Sequence, residues 1–208
     1  KVINIMKKIG IDFDNTIVVY NNLFHKIAFE NKLIPAELPK NKIIIRDFLR
    51  SQNKDHEFTK LQSEVYGNRI LDAELAPNIF QSLLKIKDEF KIIIISHKTK
   101  YPYSGPKYNL HKAALSWLEK NNFLSRDGLN LKYEDIFFEP TKELKIDTIN
   151  NSGCSYFIDD LPDILKFVDK KIKRILYLNN QSKPNDNCHY CYKTLDNWIN
   201  LGEIINTY

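Results

Sequence analysis

The sequence predicts an α/β fold: a Rossmann-like parallel sheet of five strands with helices on both faces, and a small, mainly helical insertion after the first strand. Three observations lead there. Short runs of β-branched and aromatic residues recur through the chain. Amphipathic helical patterns separate most of them, the alternation that a parallel sheet requires. One long, charged tract breaks that rhythm once.

Residues 8–13, which run into GIDFDNTIVVY, form the first strand, and their apolar neighbours suit a strand covered on both faces. KIIIIS at 91–96, DIFFE at 135–139, SYFID at 155–159 and RILYL at 174–178 supply the other four. Ile79, Leu83, Ile86 and Phe90 recur at helical spacing before the second strand, and Ala113, Ala114, Trp117 and Leu118 do so after it. Leu161, Ile164, Leu165 and Val168 mark a helix after the fourth strand; Leu195, Trp198, Ile199 and Leu201 mark a closing one. Such crossovers are right-handed and leave the ligand site beyond the carboxyl ends of the strands. Residues 21–73 are far longer than a strand-to-helix loop needs. LFHKIAFENKL and FTKLQSEVYGNRI within them read as helix, whereas IIIRDFL at 43–49 has the composition of a strand. The expected division is a core of 1–20 and 74–208, with 21–73 inserted.

Composition narrows the class. At 208 residues, 43% hydrophobic and 12% aromatic, the chain buries a core and is not a disordered one. No apolar run reaches the ~20 residues that span a bilayer, so no membrane partner is expected. The net charge of +5 is spread in short Lys/Arg groups, which suit a solvated basic surface or attraction to anionic substrates such as phosphate esters. With no long basic block, no nucleic-acid polymer is expected as a partner. Three cysteines are too few for a disulfide framework and fit a reducing, cytoplasmic setting. Cys188 and Cys191 form a lone C-x-x-C around His189, which reads as packing or as part of a metal site.

Asp12 and Asp14 raise the functional question. A carboxylate inside an apolar run is costly unless something pairs with it. Both fall at the carboxyl end of the first strand, and they have company at the same edge. Ser96 ends the second strand, Lys142 and Lys145 follow the third in EPTKELK, and Asp159 and Asp160 end the fourth with Asp163 close behind. Singly, each has a structural explanation. DFDNT suits a helix cap, Asp160 and Asp163 suit caps of a helix beginning near Pro162, and Ser96 suits an ordinary strand end. Together at one sheet edge they require four coincidences.

This set resembles the haloacid dehalogenase (HAD) superfamily of hydrolases, over residues 7 to about 180. DFDNT at 12–16 is similar to that family's first motif, Ser96 in IIIISHK to its second, a lysine of EPTKELK to its third and FIDDLPD to its fourth. The resemblance implies a phosphatase with a small helical cap, residues 21–73, that sets specificity, and Mg²⁺ as cofactor. Asp12 would be the nucleophile that forms an aspartyl-phosphate, and Asp14 the general acid and then general base. Ser96 would bind the phosphoryl oxygens, joined by Thr16, with His97, Arg46 and Arg69 as further substrate-facing candidates. Arg50, His56 and Tyr66 are polar candidates of the same insertion, each also suited to a solvated helix face. Lys98 reads as a loop or substrate-facing residue. The motif lysine is Lys142 or Lys145, with Lys142 preferred as the start of its segment. The metal would take Asp12, Asp14 through its backbone carbonyl, Asp160 and, as a second ligand or water-orienting group, Asp159; Asp163 would hold the lysine. Dehalogenating members lack an acid at the position of Asp14, which favours phosphate esters. The substrate would be a small phosphorylated metabolite, a nucleoside monophosphate (IDDLP is similar to the acidic motif of nucleotidases) or a sugar phosphate. Phosphoryl transfer, as in a mutase, and non-catalytic phospholigand binding are the alternatives, though the latter's expected mark, loss of a nucleophile or metal carboxylate, is absent.

Overall fold

The computed structural model describes residues 6–179 and 192–208, so Cys188, His189 and Cys191 lie outside the described residues. In chain order the elements are β1 (Lys7–Ile11), β2 (Val18–Val19), α1 (Asn21–Glu30), α2 (Lys42–Ser51), α3 (Asp55–Ser63), β3 (Glu74–Leu75), α4 (Ile79–Ile86), β4 (Phe90–His97), α5 (Leu110–Lys120), β5 (Ile136–Glu139), α6 (Lys142–Asn151), β6 (Cys154–Asp159), α7 (Pro162–Leu165), β7 (Lys173–Tyr177), β8 (Lys193–Leu195) and α8 (Leu201–Asn206). β2 and β3 form a separate two-stranded ribbon. None of the described helices is long and apolar enough to cross a membrane.

The chain divides into two compact units. The first draws on the described residues up to Val18, on Leu75–Lys98 and on Asn122 onward. It holds a parallel sheet in the order β5-β4-β1-β6-β7-β8. The sheet has six strands where the sequence gives grounds for five: KTL at 193–195 is too short to register as a pattern. Ile94, Ile11 and Ile158 lie level across β4, β1 and β6, so Asp12, the first residue past β1, stands beside Asp159, the last of β6. The Asp12 backbone N–H donates to the Ile158 carbonyl at 2.9 Å, which continues the ladder one residue past β1.

Right-handed crossovers put successive helices on opposite faces once the strand order reverses. On one face Ile93, Ile95, Phe157 and Leu176 pack with Ile149 of α6 and with Ile164 and Leu165 of α7. Tyr156 points the other way, as alternation requires, and its hydroxyl donates to the Ile205 carbonyl of α8. α4 packs beside α8. Gly10 permits the β1–β6 contact: a Cβ there would stand 2.7 Å from the Phe157 ring and 2.9 Å from the Cys154 sulfur.

The second unit comprises Val19–Glu74 and Thr99–Asn121, and so holds the helical insertion after β1. α1 buries Leu23, Phe24, Ile27 and Ala28; α2 buries Ile45 and Leu49; α3 buries Phe58 and Leu61. Phe24 stacks on Phe58 at 5.9 Å and meets the Tyr66 ring edge-on at 5.6 Å. IIIRDFL belongs to helix α2 and not to a strand. Ile45 and Leu49 are buried four residues apart while Ile43 and Ile44 are exposed, and the Asn41 side chain caps the Ile43 and Ile44 amides. α5 packs on the end of the insertion: the Trp117 indole N–H donates to the Ala73 carbonyl at 3.0 Å and the Lys120 ammonium to the Leu71 carbonyl at 2.6 Å.

Candidate active site

Every strand that ends in the middle of the sheet delivers a polar group at its carboxyl end. After β1 the chain makes a tight turn in which the Ile17 and Val18 amides both donate to the Phe13 carbonyl, and Asn15 takes a positive φ of 59°. This turn holds Asp12, Asp14 and Thr16 within one short loop. The Thr16 hydroxyl, fully buried, is 3.4 Å from both an Asp12 and an Asp160 carboxylate oxygen.

Of the two lysines in EPTKELK, the one that reaches this loop is Lys145. Its Nζ donates to Asp12 Oδ1 and to Asp159 Oδ2, each at 2.6 Å. Thr141 caps α6 by accepting from the Leu144 amide, and Lys145 then falls four residues before Ile149 on the buried stripe. Ile149 anchors that stripe in the core, one turn from the ammonium. Lys142, preferred from sequence, is exposed in the first turn. Position relative to Asp159 does not separate the two lysines; the helical phase against Ile149 does.

Asp159 has both oxygens engaged, one by Lys145 and the other by the Leu161 amide at 2.9 Å. It therefore holds the lysine, the role the sequence reading gave to Asp163, which instead pairs with Lys166 on the surface. One carboxylate oxygen from each of Asp12, Asp159 and Asp160 lies within 4.8 Å of the other two. Three carboxylates against the Lys145 ammonium leave two negative charges uncompensated, and the chemistry follows. Burial pushes the Asp12 carboxyl from 3.8 up to about 6; Lys145 opposes this, and Asp159 and Asp14 add to it. Burial also raises Asp160 well above the usual carboxylate range, with Asp12 and Asp159 adding their repulsion. For Lys145, burial works against the charged form, but the two carboxylates outweigh it and raise its pKa. A cluster of hard oxygen donors with a deficit of two positive charges fits a divalent cation.

Ser96 is buried at the end of β4, and its Oγ has no hydrogen-bond partner among the described residues. An unpaired buried hydroxyl costs about 1–3 kcal/mol, which a ligand oxygen would recover. His97 turns to the Pro140 carbonyl, 3.1 Å from its Nε2. Arg46 pairs with its neighbour Asp47, and Arg69 with Glu30 and Asp72, all within the second unit. There too Arg50 pairs with Asp55, His56 with Glu57, and the Tyr66 hydroxyl accepts from Lys42.

Lys98 is the residue that sequence reasoning placed in a loop or facing substrate. It is buried, and its Nζ lies 3.0 and 2.9 Å from the two carboxylate oxygens of Asp14. The available signal was alternation, because Lys98 stands two residues after Ser96 and its amide, donating to the Glu139 carbonyl at 2.8 Å, continues the strand.

No protein-family model matches the sequence, and no curated protein does. Solved structures do. A hydrolase of the haloacid dehalogenase-like family from Streptococcus pneumoniae aligns at TM-score 0.61 and 13% identity, over 96% of this chain and 98% of its own. A dehalogenase aligns at TM-score 0.58 and 10% identity, over 97% and 98%. YfnB of Bacillus subtilis, solved bound to magnesium, aligns at TM-score 0.53 and 12% identity, over 96% and 98%. The chain has the HAD-like fold.

Proposed function

We propose that this protein is a Mg²⁺-dependent phosphatase that hydrolyses a small phosphate monoester through an aspartyl-phosphate on Asp12. The observation that carries the reading is Lys145 lodged between Asp12 and Asp159, with a second carboxyl, Asp14, two residues on. A dehalogenase has no alkoxide to protonate and no use for Asp14; a phosphatase needs a proton at that point.

Asp12 and Asp160, with the backbone carbonyl of Asp14, would hold the cation, which supplies positive charge to the cluster and to the phosphoryl oxygens. The remaining steps fall to the chain itself. An Asp12 oxygen attacks phosphorus as the ester oxygen leaves with a proton from Asp14. Asp14 then takes a proton from the water that attacks the aspartyl-phosphate, which frees Asp12 and inorganic phosphate. Lys145 offsets charge on Asp12 and the phosphoryl group throughout, and Ser96 and Thr16 donate to phosphoryl oxygens.

The insertion, residues 21–73, is assigned the selection of the part of the substrate beyond the phosphate. Support comes from where the chain departs and returns: the Ala76 amide donates to the Ile17 carbonyl at 2.8 Å, directly after Thr16. Arg46→Ala and Arg69→Ala are expected to lower kcat/KM for the metabolite more than for an aryl phosphate.

The decisive experiment is phosphate release from para-nitrophenyl phosphate and a panel of nucleotide and sugar phosphates, with and without Mg²⁺. Activity should need the metal and fall by at least about 10³-fold in Asp12→Asn. Turnover that survives this substitution would sink the proposal.

A further inference from the structure

Lys145 already serves Asp12, so the mechanism has no use for a second buried lysine. Yet the Lys98 side chain is 3% exposed, and an ammonium is costly to bury unless its partner is fixed. Its partner is Asp14. Nζ stands 3.0 Å from Oδ1 and 2.9 Å from Oδ2, nearly equidistant, so the ammonium sits astride the carboxylate and holds its direction. The lysine is itself held. Its amide donates to the Glu139 carbonyl on the neighbouring strand, and its Nζ lies 5.4 Å from the centre of the Phe13 ring.

We propose that Lys98 is a positioning residue: it holds the Asp14 carboxyl in line with the departing ester oxygen. This rests on the phosphatase reading above. Its chemical signature differs from that of a phosphate-binding lysine. A proton donor matters most when the leaving group is a poor one, so a residue acting through Asp14 should matter in proportion. A lysine that binds the phosphoryl group affects every ester alike. A lysine that only supports the fold does so too.

The test compares wild type, Lys98→Met, Lys98→Arg, Asp14→Asn and the Lys98→Met/Asp14→Asn double variant with Mg²⁺, on phenyl phosphate and on dinitrophenyl phosphate. Lys98→Met should lower kcat about 100-fold on phenyl phosphate and less than about 3-fold on dinitrophenyl phosphate, with KM little changed. Lys98→Arg should restore part of the loss, and the double variant should be no slower than Asp14→Asn alone, since the two act as one unit. Equal losses on both esters, or a raised KM with kcat intact, overturn the proposal. A crystal structure of Lys98→Met gives a readout independent of turnover. The Asp14 carboxyl should rotate away from its wild-type position, and an unmoved carboxyl overturns the proposal whatever the rates. Wild-type protein that hydrolyses neither these esters nor the nucleotide and sugar phosphates, or turnover that survives Asp12→Asn, refutes the phosphatase reading itself; the crystal structure then decides the hold on Asp14 by itself.

Discussion

Lys145 is worth more to the fold than a surface lysine, because it is the near counter-charge of two buried carboxylates. Lys145→Met should destabilise the metal-free protein by about 3–5 kcal/mol, the usual cost of stranding one side of a buried ion pair. Mg²⁺ should recover part of that loss in urea denaturation, since it offsets the same charge. Lys142→Ala, exposed one turn earlier, should stay within about 0.5 kcal/mol of wild type. The contrast shows where sequence reasoning reached and where it stopped. Acidic groups at strand ends were legible because a charge after an apolar run is anomalous wherever it occurs. The choice between two lysines in EPTKELK was not, since both are ordinary helix residues until the phase of Ile149 is fixed. Lys98 was hidden for a related reason: a lysine just past a strand looks solvated, and only the approach of Asp14 from the turn after β1 gives it a buried partner.

Elements turn these residues into a site by setting where each one starts. α6 begins at Lys142 because Thr141 caps it, and that start determines which lysine faces Asp12. Thr141→Ala should cost about 1 kcal/mol in thermal denaturation. Gly10 acts on β1 in the same way from below. Gly10→Ala would drive a methyl group into Phe157, so a loss of about 1–3 kcal/mol is expected, and Phe157→Leu in the same chain should return part of it. The strands of four or more residues were legible from their apolar runs, whereas β8 was not, since three residues carry no periodicity. IIIRDFL shows the opposite failure. Its composition is that of a strand, but the cap at Asn41 and burial of Ile45 and Leu49 override β propensity.

At the scale of the molecule, stability and protons are linked through the cluster, and the proposed Mg²⁺ would join that linkage. The Asp12 pKa is raised in the folded state, to about 6 from 3.8, so the folded metal-free protein keeps a proton that the unfolded chain has released. Stability from this group is therefore present at low pH and is lost as pH climbs from about 4 to about 6. In the proposed Mg²⁺ site, protons and cation would compete for the same oxygens. The rise in melting temperature on adding Mg²⁺ should grow from about pH 5 to about pH 8, and calorimetry across that range checks it; a pH-independent rise would put the cation elsewhere. α5 has a different consequence, for inheritance. Trp117 and Lys120 bind the last carbonyls of the insertion, although α4 and β4 separate the two tracts in sequence. A recombination event that exchanged residues 21–73 alone would give its recipient a fragment shaped for a helix it lacks. Lineages that trade this piece are expected to trade Thr99–Asn121 with it, since the compact unit is discontinuous in the gene though continuous in space.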